Sequence, residues 1–97
     1  MIEKKDILLR LATLKEDIEK KYKVRRIGLF GSYSRNEQRE GSDIDLLVEF
    51  HEGADLFDLA GLKNYLEEIF HTRVDIVPAR ALRDELRQAV FADVSYV

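Results

Sequence analysis

The 97-residue sequence predicts an α/β fold in which helices flank one small mixed β-sheet. Short apolar runs alternate with longer amphipathic stretches, which is typical of strands that alternate with helices. Hydrophobic residues make up 45% of the chain and aromatic residues 9%, enough for a genuine core. We therefore expect a single domain over residues 1–97.

The first helix is predicted over Ile2–Tyr22, where apolar residues recur three or four positions apart. Arg26–Phe30 is a short apolar run that predicts a buried strand, followed by a tight turn at Gly31-Ser32. The polar stretch Tyr33–Glu40 is interpreted as a helix or a loop, and Gly31-Ser32 is expected to open a helix.

The second half of the chain repeats the alternation. Asp43–Phe50 predicts a strand, and Asp55 is a candidate cap for the helix that follows. Arg73–Val77 predicts a third strand, which Pro78 ends. A final helix is expected to carry Leu82, Leu86 and Val90, and the closing residues 95–97 either dock on the sheet or contact a partner.

Composition excludes several classes of protein. With 16 basic and 19 acidic residues the net charge is -3, which argues against direct binding of nucleic acid. The chain has no cysteine, so disulfides, thiolate metal sites and cysteine nucleophiles are excluded. No apolar run is long enough to span a membrane, and we expect a cytoplasmic protein.

Asp43 and Asp45 are the first candidate site residues. Side chains two apart in a strand point to one face, so these carboxylates lie side by side while Ile44 faces the core. Close like charges favour a hard cation such as Mg²⁺ between them. A chain with nine aspartates shows this spacing about once by chance, so the pair alone is weak evidence for a metal site.

Two further features strengthen the hypothesis. Gly31 allows close approach of a phosphate, which the following N–H groups and the Ser32 hydroxyl can bind; an ordinary capped turn is the alternative. Asp75 is a third acid within an apolar strand, although a solvent-facing residue explains it equally well. Together these residues indicate a two-metal site for phosphoryl transfer.

In these motifs the sequence resembles the DNA polymerase β-type nucleotidyltransferase superfamily. Gly31-Ser32 precedes Asp43-Ile44-Asp45 by ten residues, and Asp75 lies in a later strand. The run Ser42–Phe50 and the closing residues 93–97 resemble the minimal nucleotidyltransferase branch, of the MntA antitoxin type. Where this family commonly has glycine, the chain has Asn36, the residue best able to replace glycine in a left-handed turn.

The resemblance implies a role for each motif. It assigns Gly31, Ser32 and Arg35 to the triphosphate of ATP, and Asp43, Asp45 and Asp75 to catalysis as ligands of two Mg²⁺ ions. Asp75 would hold the catalytic metal beside the acceptor hydroxyl. Members of this branch partner a HEPN ribonuclease toxin, as hetero-oligomers. The resemblance therefore implies an antitoxin of a type VII toxin–antitoxin pair that transfers AMP to a toxin tyrosine.

Two alternatives remain open at this level. A non-catalytic antitoxin would neutralise the toxin by steric binding, but it has no need for three clustered acids. A transferase acting on a small molecule, such as an aminoglycoside, would need an acceptor domain that is not evident in 97 residues.

Overall fold

Strands and helices alternate in the computed structural model, which describes residues 2–97. The elements in chain order are helix α1 (Lys4–Tyr22), strands β1 (Val24–Phe30) and β2 (Ile44–Phe50), helix α2 (Leu56–Phe70), strand β3 (Val74–Pro78), a 3₁₀ turn (Ala79–Ala81), helix α3 (Asp84–Asp93) and strand β4 (Ser95–Tyr96). The predicted bounds of α1, β1, β2 and β3 agree with the structure to within two residues at each end. The helix expected after Gly31-Ser32 and the start of the last helix differ from the prediction, as described below.

The four strands form one sheet in the order β3-β2-β1-β4. β1 runs antiparallel to β2 and β4, whereas β2 and β3 are parallel and joined by the crossover helix α2. The expected mixed α/β sheet is therefore confirmed. The register places Asp45 opposite Phe30 on one side and opposite Asp75 on the other.

The main core lies between one face of the sheet and helices α1 and α2. Ile44, Leu46 and Val48 are fully buried there, as the alternation along β2 predicted. The helices contribute buried side chains at Ile7, Leu11 and Ile18 and at Leu62, Leu66 and Phe70. Asp55 caps α2 by accepting from the N–H groups of Phe57 and Asp58, which confirms it as the cap.

The prediction that Gly31-Ser32 opens a helix is wrong. Residues 31–36 form a single turn, in which the N–H of Arg35 donates to the carbonyl of Gly31 and that of Glu37 to Ser32. Asn36 follows with φ +58°, in the left-handed region, so the chain cannot continue as a helix. The expected substitution of asparagine for glycine in a left-handed turn is confirmed.

The C-terminal part also differs from expectation. Leu82 is buried but precedes α3, after the 3₁₀ turn, so the prediction that it belongs to the last helix is wrong. Pro78 ends β3 and the chain turns at once, which delays the helix to Asp84. Leu86 lies on α3 but is half-exposed. The closing residues 95–97 dock on the edge of β1.

Across residues 2–97, none of the helices combines the length and apolar character needed to cross a membrane.

Candidate active site

The candidate site lies where β1 ends and β2 and β3 begin. Because β1 is antiparallel to β2, its last residue, Phe30, lies beside Asp45, the second residue of β2. Asp75 occupies the matching position of β3, in parallel register with Asp45. Register partners in a sheet point to the same face, so both carboxylates lie opposite the main core. The structure thus brings Gly31, Asp45 and Asp75 together.

Gly31 is required at this position for two reasons. Its φ is +78°, a backbone conformation that glycine adopts without strain. A Cβ on Gly31 would also collide with the carboxylate of Asp45, whose Cγ would lie 3.1 Å from it. The absent side chain leaves room for the Asp45 carboxylate directly beneath the turn.

Residues Gly31 to Glu37, which we call the nucleotide loop, present backbone donors at the same place. No backbone carbonyl among residues 2–97 accepts from the N–H groups of Ser32, Tyr33 or Ser34. Tyr33 and Ser34 have side chains that are almost fully buried, which anchors the loop. A tight turn with unpaired N–H groups is suited to binding phosphate oxygens.

The carboxylate of Asp45 is influenced by the charges of both other acids, Asp43 and Asp75. Its partial burial, followed by the charges of Asp75 and Asp43, raises its pKa from 3.8 to about 6, while the charge of Arg35 opposes the increase. Near neutral pH this carboxylate is ionised at a cost in free energy, which a bound cation would offset.

Asp43 contacts Arg73, the residue that immediately precedes β3. The Nε of Arg73 lies 3.1 Å from Asp43 Oδ1. That oxygen is nevertheless buried without a hydrogen bond in the part of the chain described, so the contact is a charge interaction rather than an aligned hydrogen bond. Asp43 Oδ1 is therefore paired in charge with Arg73 but lacks an aligned hydrogen-bond donor among the described residues.

The donor set fits a hard divalent cation. Carboxylate oxygens are the ligands that Mg²⁺ prefers, and the raised pKa of Asp45 indicates that this cluster of acids lacks positive charge. The three acids are neighbours without converging fully: among residues 2–97, no three His, Cys, Asp or Glu side chains meet closely enough to hold a metal ion.

Arg35 is half-exposed and already engaged by two carboxylates. Its Nε donates to Glu37 at 2.9 Å and its Nη1 to Asp93 at 2.5 Å. These hydrogen bonds, Glu37 first, raise the pKa of the guanidinium. Sequence reasoning missed Asp93 as a neighbour of the site, because 58 residues separate it from Arg35. The sequence feature that could have indicated Asp93 is its position at the start of the closing motif, residues 93–97.

This fold and this site define a nucleotidyltransferase. The family model for the nucleotidyltransferase domain matches residues 11–97. The chain belongs to that family, and within it the similarity is to minimal nucleotidyltransferases of the MntA type.

Two curated relatives are similar over almost their full length. A protein of Methanocaldococcus jannaschii, provisionally named a protein adenylyltransferase, is 42% identical over 94 residues, covering 96% of this chain and 93% of its own. Protein adenylyltransferase MntA of Thermococcus cleftensis is 39% identical over 87 residues, covering 90% and 88%.

Solved structures share the fold. One provisionally described as a minimal nucleotidyltransferase has a TM-score of 0.82 at 37% identity, covering 97% of this chain and 95% of its own. A toxin–antitoxin structure with AMP-PNP has a TM-score of 0.70 at 28% identity, covering 87% and 69%. A tri-AMPylated Shewanella oneidensis HEPN toxin in complex with an MNT antitoxin has a TM-score of 0.69 at 26% identity, covering 96% and 70%.

Proposed function

We propose that this chain is a Mg²⁺-dependent adenylyltransferase that transfers AMP from ATP to a tyrosine hydroxyl of a HEPN ribonuclease toxin, and so acts as its antitoxin. The observation that carries the proposal is the convergence of the Gly31 turn, Asp45 and Asp75 at one end of the sheet. The naming of relatives as protein adenylyltransferases and the AMPylated HEPN toxin complex support it.

Each group of residues has a part in this reaction. The N–H groups after Gly31 and the hydroxyl of Ser32 bind triphosphate oxygens, and Arg35 adds a positive charge at the loop. Asp43, Asp45 and Asp75 would hold two Mg²⁺ ions, with Asp75 nearest the acceptor. Mg²⁺, when bound, would neutralise the charge that develops on the leaving pyrophosphate and would lower the pKa of the attacking hydroxyl.

The transfer itself is an in-line displacement. The tyrosine hydroxyl loses its proton to solvent, its oxygen forms a bond to the α-phosphorus of ATP, and the bond from that phosphorus to the departing pyrophosphate breaks. Since residues 2–97 form one small sheet with its helices and no second lobe, we infer that the partner toxin supplies the acceptor and part of the surface that positions it. The functional unit is then a hetero-oligomer.

Mass spectrometry of the partner tests the proposal. The chain is co-expressed with a HEPN-type toxin, and the intact mass of that toxin is measured. We expect wild type to add one or more AMP units and Asp75→Asn to add none while still co-purifying with the partner. Asp84→Asn is the matched control, because Asp84 is an exposed carboxylate at the start of α3 and should leave transfer unchanged.

The second candidate function is steric neutralisation without chemistry. The incomplete convergence of the three acids is the observation that favours it. Its signature is a partner that stays unmodified yet inactive with wild type, together with full protection of cells by Asp75→Asn. That result would replace the enzymatic proposal.

A further inference from the structure

We propose that Asp93 is a positioning residue for nucleotide binding, whose carboxylate holds the Arg35 guanidinium in a fixed place on the nucleotide loop. The inference rests on the proposed function and adds to it a residue at the end of α3, far from the phosphate-binding motif in sequence. It assigns a role to the C-terminal segment, residues 93–97, that goes beyond completing the sheet.

The contacts of Arg35 define its orientation. Asp93 Oδ2 accepts from Nη1 and Glu37 Oε1 accepts from Nε, so two of the three guanidinium nitrogens are held. Nη2 takes part in neither contact and remains for a phosphate oxygen. The charge of Arg35 opposes the rise in the pKa of Asp45, so the guanidinium lies within electrostatic reach of that carboxylate. Asp45 is one of the three acids proposed to hold the metal ions that accompany the triphosphate.

A second contact ties the loop to Asp93. The backbone carbonyl of Asp93 accepts a hydrogen bond from Ser34 Oγ at 2.5 Å. Ser34 is 6% exposed, so this bond lies at the buried base of the loop. The backbone of Asp93 therefore fixes where the loop sits, and its side chain fixes where Arg35 points.

The C-terminal segment is itself firmly attached to β1. Tyr96 pairs with Gly28, and the N–H of Val97 donates to the carbonyl of Ile27 at 3.1 Å. A side chain at Gly28 would collide with Val94 and Tyr96, at 2.6 and 2.8 Å, so the close approach depends on glycine. Arg26 covers the Tyr96 ring at 3.4 Å from its centroid.

β1 consequently serves two purposes. Its edge binds the C-terminal segment, and its end leads into the nucleotide loop. Because one strand carries both, the distance between Asp93 and Arg35 is set by the sheet and not by a flexible tether. Holding a long side chain in its binding orientation before the ligand arrives reduces the entropy that binding must remove.

If Asp93 had a competing role, its removal would change the nucleotide affinity in the opposite direction. If Asp93 competed with the triphosphate for Arg35, its removal would free the guanidinium and strengthen binding. A positioning residue weakens binding when it is removed. The direction of the change in affinity therefore decides between the two roles.

The experiment measures AMP-PNP affinity by calorimetry in excess Mg²⁺ for the full chain. We expect Asp93→Asn to weaken binding roughly 3- to 10-fold, the loss that goes with mobilising one long side chain. The substitution leaves the backbone contact with Ser34 in place. Asp84→Asn makes the same chemical change in an exposed pair with Arg87 at the other end of α3, and should leave the affinity unchanged.

A double-mutant cycle with Arg35→Gln separates positioning from a general loss of structure. If Asp93 acts through Arg35, the double variant binds no more weakly than Arg35→Gln alone, and Asp93→Glu restores part of the affinity. Additive losses, unchanged affinity in Asp93→Asn, or tighter binding would each overturn the positioning role while leaving the proposed function intact. Absence of AMP-PNP binding by wild type would overturn both.

Discussion

The substitution Asp45→Asn should stabilise the metal-free protein at neutral pH. Burial and two neighbouring acids raise the pKa of Asp45 to about 6, whereas the unfolded chain has its ordinary value of 3.8. Between about pH 4 and about pH 6 the folded state binds the Asp45 proton more tightly than the unfolded state does. The stability that this protonation provides is therefore lost as the pH rises through that range. Asparagine removes this charge at every pH.

The magnitude follows from the pKa difference. A difference of about 2 corresponds to ~3 kcal/mol at most, and Asp45 is only partly buried, so solvent screening reduces it to about 1–2 kcal/mol. For a domain of this size, that raises the melting temperature by roughly 5–10 °C.

Thermal unfolding with EDTA present, from pH 3.5 to 8, is the assay. The difference between Asp45→Asn and wild type should be near zero below about pH 4 and reach its full value above about pH 6.5. Asp43→Asn is the contrast, since it loses the contact with Arg73 but also relieves repulsion of Asp45, so stability should change by at most about 1 kcal/mol. A lower melting temperature for Asp45→Asn at pH 7.5, or an equal rise at pH 3.5, would refute the reasoning.

Three further predictions follow from the geometry. Gly31→Ala should destabilise by about 2–4 kcal/mol and abolish AMP-PNP binding, because of its positive φ and the collision with Asp45. Gly53→Ala, also at positive φ but in open space, should cost only about 1 kcal/mol and leave calorimetric binding intact; equal effects would contradict the steric argument. Chelating Mg²⁺ should greatly weaken ATP binding, since the acids then repel the triphosphate; equal affinity in calorimetry with and without the ion would rule out the metal assignment. Urea unfolding should show a loss of about 3–5 kcal/mol for Phe70→Ala, which is 7% exposed, and less than ~0.5 kcal/mol for Phe57→Ala, which is 87% exposed; comparable losses would mean that the assigned burial is wrong.

Local patterns were sufficient to predict strands β1 to β3 and helices α1 and α2, but not the turn after Gly31 or the start of α3. Alternation along β2 fixed which side chains enter the core and placed Asp43 and Asp45 opposite them, because side-chain direction in a strand depends only on position. The cap at Asp55 and the left-handed turn at Asn36 were equally local, since each depends on one residue and its own backbone.

Contacts between distant segments required the tertiary structure. The pairing of Asp45 with Asp75 depends on the register of β2 and β3, and the raised pKa of Asp45 depends on the burial that this packing creates. Asp93 reaches Arg35 only because the C-terminal segment closes on the edge of β1. The sequence motifs thus identified the candidate acids and the glycine turn. Which charges meet was decided by strand order and register, which no local residue preference determines.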